Sequence, residues 1–433
     1  MLAWCYRPEA SDWLGRPLGS GWYGLGLLGF AGVTVVASVL GPIPWISLGF
    51  LGLVLLQFGL LPLLKEAWRQ KHDEGFRMLA LLAVALVGID VALWLVMRAF
   101  EFPPYAWVLR YGVGGRVLFE TPYLFQNPRW ANQISLLLLW TFIPLLQQLR
   151  QGLILQRRRF WWGICGAVPV LCCTQIVLTR GDGAFLSTLF GVGALFWQWR
   201  RSKGSDQHVL ARALVLILLS LVAAIGFSLV LDSGDFLLQF AGRNTEELTT
   251  GASVSGWRLG TWILYLKSSI SSLLWGRGIQ AIPLGSGLCG PHNIWLALLY
   301  WCGLAGTGFA LLLMVAFVPF GGGARRRADL MTMPFLVSLF FYQLVDDIWL
   351  RSLSLALLLV ILPGLLPEDG PSGGVLPPGP VWIQSFRLPF ERYRLLALLG
   401  VLLIALSVVV PGGVGWGPQE SVRTLKQGCM LFF

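Results

Sequence analysis

Apolar runs of bilayer-crossing length recur along almost the whole chain, and nothing else constrains its fold as strongly. About 20 helical residues cross the roughly 30 Å of hydrocarbon in a membrane. Runs of that order lie at 21–40, 45–64, 78–97, 131–149, 161–179, 184–199, 209–231, 292–320, 330–345, 348–366 and 395–411. In lipid the backbone must satisfy its own hydrogen bonds, so these runs are expected as packed helices. With 56% hydrophobic and 12% charged residues and a mean hydropathy of +0.71, a soluble fold is excluded. The expected architecture is an all-α polytopic membrane protein of about 11 (10–12) transmembrane helices. The whole chain, 1–433, reads as a single membrane domain with one large outer loop at 232–291.

Charge orients this bundle. With the N-terminus inside, the inner loops at 1–20, 65–77, 150–160, 200–212, 321–329 and 367–394 hold 20 of the 32 Lys and Arg residues. Arg157–Arg159 and Arg325–Arg327 are the densest clusters. This is the positive-inside bias of a plasma-membrane protein. The net charge of +11 therefore signals topology and contact with anionic lipid headgroups, and nucleic acid is not an expected partner. The seven cysteines are scattered, with Cys165, Cys172 and Cys173 inside one apolar run, so neither a disulfide framework nor a metal motif is expected. Cys289 and Cys302 flank a His-Asn pair without any spacing that demands a bond. The N-terminal region carries no clear small-residue cleavage site, so the first span is expected to serve as its own anchor.

Polar residues at the edges of spans are the candidates for chemistry, because they are costly unless they bind or react. Asp90, in the middle of the third run, reads either as a functional carboxylate or as an acceptor for a neighbouring helix. The second reading keeps it off the site. Arg129 lies in Phe125-Gln126-Asn127-Pro128-Arg129-Trp130, just before the fourth span. The aromatics fit an interfacial belt, whereas Arg129 could offer a bidentate fork to a lipid phosphate. Arg180 lies in Leu178-Thr179-Arg180-Gly181-Asp182-Gly183, a short outer turn that holds a permanent charge at the ends of two helices. Its alternative is a plain turn in which Arg180 pairs with Asp182.

The outer loop changes character at Gly256. Leu259, Ile263, Leu266, Ile270 and Leu273 recur at helical spacing, while Arg258, Thr261, Tyr265, Ser268 and Ser272 take another face. That pattern predicts an amphipathic helix along the membrane interface, with Arg258 on its polar side. Snorkelling to headgroups is the plainer role for that Arg. Gly276-Arg277-Gly278 follows, and glycines there permit close approach of backbone N–H groups to a ligand. His292-Asn293 then opens a long apolar run, where helical N–H groups favour an anion and disfavour an imidazolium. A neutral His292 beside a bound phosphate suits a general base. Asp346, in an outer turn, reads as a counter-ion for an Arg or the His, or as a helix cap.

Arg180 in LTRGDGAFL, Arg258 in SGWRLGTW, the Gly276–Gly278 element and PHNIWLALLYWCGLAG together resemble successive signatures of the O-antigen ligase and O-antigen polymerase superfamily. FQNPRWANQ is also similar to the Asn-rich segment before a span in many members. Thr179, Trp257 and Trp301 depart from its usual residues. The resemblance implies a GT-C-like helical fold and a glycosyltransferase at the outer face of a bacterial inner membrane. Its donor would be a polyprenyl-diphosphate-linked saccharide and its acceptor a glycan, lipid-core or protein hydroxyl, with no metal or nucleotide cofactor. It further implies that Arg180 and Arg258 bind the donor diphosphate and that His292 activates the acceptor. Arg129, Arg277, Gly276, Gly278, Asn293 and Asp346 are expected to contact substrate. Polymerase, ligase and protein O-oligosaccharyltransferase all satisfy the pattern. The rival of another class is a flippase for lipid-linked saccharides, which predicts broken central helices.

Overall fold

The computed structural model describes residues 21–99, 109–110, 117–118, 128–179, 181–231, 254–279, 281–283, 291–315, 329–345, 352–365, 398–399 and 402. These residues are helical almost throughout. The helices are α1 (Gly21–Leu40), α2 (Pro44–Ala99), α3 (Pro128–Leu139), α4 (Phe142–Arg150), α5 (Arg158–Leu178) and α6 (Asp182–Arg201). They continue with α7 (Ser205–Leu231), α8 (Val254–Ser269), α9 (Ile294–Val315), α10 (Asp329–Tyr342) and α11 (Ser352–Leu365). A minimal antiparallel pair joins β1 (Leu109–Arg110) to β2 (Val117–Leu118). Among the described residues, five segments are long and apolar enough to cross a membrane: Pro44–Leu61, Asp73–Val96, Arg158–Leu178, Ser205–Leu231 and Ile294–Leu313. Gly24–Leu40 and Leu330–Tyr342 are shorter apolar helices. The chain is thus a helical membrane protein by length and composition. The run at 395–411 lies almost wholly outside the described residues.

Two sequence expectations change. The loop expected at 65–77 is helix, because α2 runs unbroken from Pro44 to Ala99. Its Lys, Glu, Ala, Arg and Gln residues are good helix formers, so polarity there ends the apolar run without ending the helix. Conversely, the span expected at 131–149 is two helices meeting at Trp140-Thr141. Pro144 has no N–H to offer the Trp140 carbonyl four residues back. Ile143 N–H takes that carbonyl at 3.1 Å instead, and Thr141 Oγ1 donates back to Leu138 at 2.6 Å.

The chain divides into two compact units, with a boundary inside α2 between Gln70 and Lys71. The first unit holds α1, the start of α2, α8, α9 and the end of α11. Here α1 packs along α9, and its Leu27, Phe30, Val33 and Ala37 are all buried. Gly29 sits so close to Phe309 that an added Cβ would lie 2.3 Å from its ring. Trp68 of α2 donates from Nε1 to the Val360 carbonyl of α11 at 2.6 Å.

The second unit is built around α3 and α4, in which every residue from 131 to 149 is buried. Helices α5, α6, α7 and α10 pack on this pair, and Phe190 of α6 stacks on Phe341 of α10 with centroids 3.6 Å apart. The pair is unusually polar for a core, with Asn132, Gln133, Ser135, Gln147 and Gln148 all buried. By contrast the outer side of α7 exposes Val215, Leu218, Leu219 and Val222. Buried polar and exposed apolar residues are the arrangement expected where lipid replaces water as solvent.

Candidate functional site

In the first unit the site residues are arranged by a joint between α8 and α9. Helix α8 forms as the spacing predicts, with Thr261, Tyr265 and Ser269 buried. Leu259, Ile263, Leu266, Ile270 and Leu273 are exposed, so the polar face packs inward and the apolar face is left for lipid. Tyr265 meets Tyr300 of α9 edge to face at 5.1 Å. After a 3-10 turn at Ile270–Ser272, the chain inserts into a break in α9.

Gly303 makes that break, with φ 65° and ψ −169°. An interrupted helix leaves carbonyls and amides without partners, which is expensive in a membrane. The inserted backbone supplies them. Arg277 N–H donates to Tyr300 O at 2.9 Å and Gly278 N–H to Trp301 O at 2.8 Å. In return Leu304 N–H donates to Leu273 O at 2.7 Å and Ala305 N–H to Leu274 O at 3.2 Å. Gly276 (φ 81°) lies so close that a Cβ would sit 2.3 Å from the Trp301 carbonyl oxygen, and at Gly303 one would sit 2.3 Å from that of Leu274. Only glycine fits either position.

This geometry gives the Gly-x-Gly element a different role from the one its composition suggests. The Arg277 and Gly278 amides face α9 carbonyls and that of Gly276 donates to Ser272 O at 2.8 Å, so the element closes a backbone joint. The Arg277 side chain is exposed and donates to Ser271 Oγ at 2.7 Å. Asn293 is likewise engaged: its Oδ1 accepts from the N–H groups of Trp295 (3.0 Å) and Leu296 (3.2 Å), capping α9. Cys302 is a buried free thiol that accepts from Thr34 Oγ1 at 3.6 Å, and Cys289 lies outside the described residues.

His292 precedes this cap with φ 49°, one of two non-glycine residues with positive φ among the described residues. A left-handed histidine costs of order 1–3 kcal/mol, and such strain gathers at functional sites. The side chain is half-buried, between buried Pro291 and Asn293. Pro291 is itself held, because Trp262 Nε1 of α8 donates to its carbonyl at 2.7 Å. Trp262 lies one helical turn after Arg258, so this bond fixes the Arg258-bearing helix to the residue before the histidine. The backbone of Arg258 is in α8, while its side chain lies outside the described residues. Trp301, marked in the sequence only as a departure from the superfamily's usual residue, holds the Ala281 carbonyl through its Nε1 at 2.9 Å, and Trp262 is not singled out there at all. The one available signal was the spacing of Trp262 from Arg258.

In the second unit the described residues around the 179–183 turn are sequence neighbours of the other candidates. Arg180 and Asp346 lie outside the described residues, as does the Arg129 side chain, but their neighbours are placed. Thr179 Oγ1 donates to Asn132 Oδ1 at 2.5 Å, joining the end of α5 to the first turns of α3, where Arg129 lies. A Cβ on Gly181 would meet the Asn132 amide at 2.4 Å, and one on Gly183 would meet Val345 at 2.7 Å. These glycines therefore admit α3 and the end of α10 against the turn. One turn deeper, Gln175 bridges Ser135 and the fully buried Asp90: Ser135 Oγ donates to Gln175 Oε1 and Gln175 Nε2 to Asp90 Oδ2. Asp90 thus serves as an interhelical acceptor.

No protein-family model matches this chain, and no curated protein matches it. One unit presents a left-handed histidine whose preceding residue is bonded to an arginine-bearing helix, and in the other the described residues adjoin Arg129, Arg180 and Asp346 in sequence.

Proposed function

We propose that the protein transfers an oligosaccharide from a polyprenyl-diphosphate donor to an acceptor hydroxyl at the outer face of a bacterial inner membrane. The observation that carries this reading is the Trp262–Pro291 hydrogen bond, which couples Arg258's helix to a left-handed, half-buried His292. The order of the motifs, in its resemblance to the O-antigen ligase and polymerase superfamily, supplies the chemistry. His292 takes the proton of the acceptor hydroxyl as its oxygen bonds to the anomeric carbon. The bond from that carbon to the diphosphate oxygen breaks, and polyprenyl diphosphate leaves with the electron pair. Arg258 and Arg180 are assigned to the charge that develops on the leaving diphosphate, which fixed guanidinium groups suit. Asn293 supports the histidine by capping α9.

The flippase reading gains one observation, the break in α9 at Gly303. In transporters such breaks leave backbone groups open to a substrate. Here the amides of Leu304 and Ala305 and the carbonyls of Tyr300 and Trp301 are bonded to the 273–278 backbone, which favours the enzyme. The test is incubation of purified protein with a polyprenyl-diphosphate oligosaccharide and an acceptor in EDTA. Release of polyprenyl diphosphate with glycan on the acceptor is expected. Donor that stays intact yet crosses a liposome membrane supports the flippase instead. Product size separates polymerisation from ligation, and glycan on protein Ser or Thr marks a protein O-oligosaccharyltransferase.

A further inference from the structure

The Arg157–Arg159 triplet and the Arg200–Arg201 pair are 41 positions apart at their nearest in sequence, yet they belong to one end of the second unit. Arg150, at the end of α4, donates from Nη1 to the carbonyl of Ser205 at the start of α7 at 3.3 Å, so the α4–α5 and α6–α7 connections are joined. Both connections turn tightly, at Gly152 (φ 71°) and Gly204 (φ 67°). Arg157, Arg158, Arg159, Arg200, Arg201 and Lys203 are all exposed. We propose that this end of the unit is a binding surface for acidic phospholipids, whose headgroup phosphates sit between the two connections.

Three observations support a lipid over another anionic partner. First, the cations are interleaved with exposed apolar residues. Leu155, 84% exposed, and Leu153 stand in the α4–α5 connection, while Phe160, Trp162 and Trp197 are exposed on the flanking helix turns. Exposed leucine and tryptophan among the cations suit an apolar boundary better than a soluble partner. Aromatic rings among arginines are the composition of a membrane interface. Second, one of these charges is held in place: the Arg201 guanidinium lies 4.1 Å from the centre of the Trp197 ring. Third, Arg158 and Arg159 occupy the first turn of α5, which contains no acidic residue. Cations there oppose the helix macrodipole, and the cost is relieved when an anion binds outside them. Arg157 even takes a left-handed conformation at this point, with φ 52°.

The experiment compares thermal unfolding of the full chain in nanodiscs of phosphatidylcholine alone and of phosphatidylcholine with phosphatidylglycerol. For the wild type, phosphatidylglycerol is expected to raise the midpoint by several degrees, and raising salt from about 0.05 M to about 0.5 M should erode that shift. In the variant Arg157→Gln/Arg158→Gln/Arg159→Gln/Arg200→Gln/Arg201→Gln the shift should fall to below about a third. Removing an exposed cation of the first unit, by Lys267→Gln, should leave most of it. Equal shifts in the wild type and the five-site variant overturn the proposal, as does a wild type indifferent to phosphatidylglycerol. If the five-site variant does not fold in phosphatidylcholine, photocrosslinking of the wild type with a phosphatidylglycerol probe decides. Crosslinks in 150–162 and 197–212 support the surface, and crosslinks only elsewhere refute it.

Discussion

Trp262 and Pro291 are 29 residues apart in sequence, and the indole Nε1 of the first donates to the carbonyl of the second at 2.7 Å. Between them lies a segment that has itself been threaded into α9, so the bond closes a loop whose ends are a helix turn and the residue before His292. Removing the donor leaves the Pro291 carbonyl without it and frees the histidine's backbone. Trp262→Phe keeps the aromatic bulk and is expected to lower kcat for glycan transfer by about 10-fold or more, with donor affinity nearly unchanged. Steady-state kinetics at varied donor concentration check this. A rise in KM at constant kcat would assign Trp262 to donor binding instead.

The glycines of the backbone joint make a paired prediction. Gly303→Ala forces a side chain to φ 65° with its Cβ 2.3 Å from the Leu274 carbonyl, and it should destabilise by more than about 2 kcal/mol. Gly308→Ala, in the same helix with nothing within 4 Å of its added Cβ, should be neutral or slightly stabilising. Thermal unfolding in detergent or nanodiscs separates the two, and equal effects would show that the joint is not rigid.

Asp90 is expected to matter for stability and not for chemistry. Asp90→Ala leaves Gln175 Nε2 without its acceptor in the core and should cost about 1–2 kcal/mol. Asp90→Asn retains an oxygen that can accept and should cost less, with transfer activity preserved in both once the protein is folded. Loss of turnover in a folded Asp90→Asn protein would contradict the structural role.

Asn293 offers a similar separation of cap from ligand. Asn293→Asp and Asn293→Ser keep an oxygen for the Trp295 and Leu296 amides and should retain most activity. Asn293→Ala should lower stability by about 1 kcal/mol and activity with it. An inactive but fully stable Asn293→Asp protein would restore a direct contact with substrate.

The helices were largely legible because period and length are properties of the chain itself. The amphipathic pattern of Leu259, Ile263 and Leu266 against Thr261 and Tyr265 is reproduced by which side chains are buried. The boundaries that misled are those where polarity and backbone geometry part company. Residues 65–77 are charged but helix-forming, and 131–149 are long enough for one span but interrupted at Trp140-Thr141, just before Pro144. At the candidate site, the place of His292 and Asn293 at the start of an apolar helix was legible in the sequence. Its backbone logic was not, because the use of Gly276 and Gly278 depends on a break at Gly303, 25 residues beyond Gly278, that no local pattern announces.

The most direct test is a single-turnover comparison of wild-type protein with His292→Ala, using a polyprenyl-diphosphate oligosaccharide, an acceptor and EDTA. The expected result is glycan transfer by the wild type, and donor binding with transfer reduced by about 100-fold or more in the variant. Undiminished transfer by His292→Ala, or a wild-type protein that binds the donor and never releases polyprenyl diphosphate, would contradict the assignment of glycosyl transfer to this histidine.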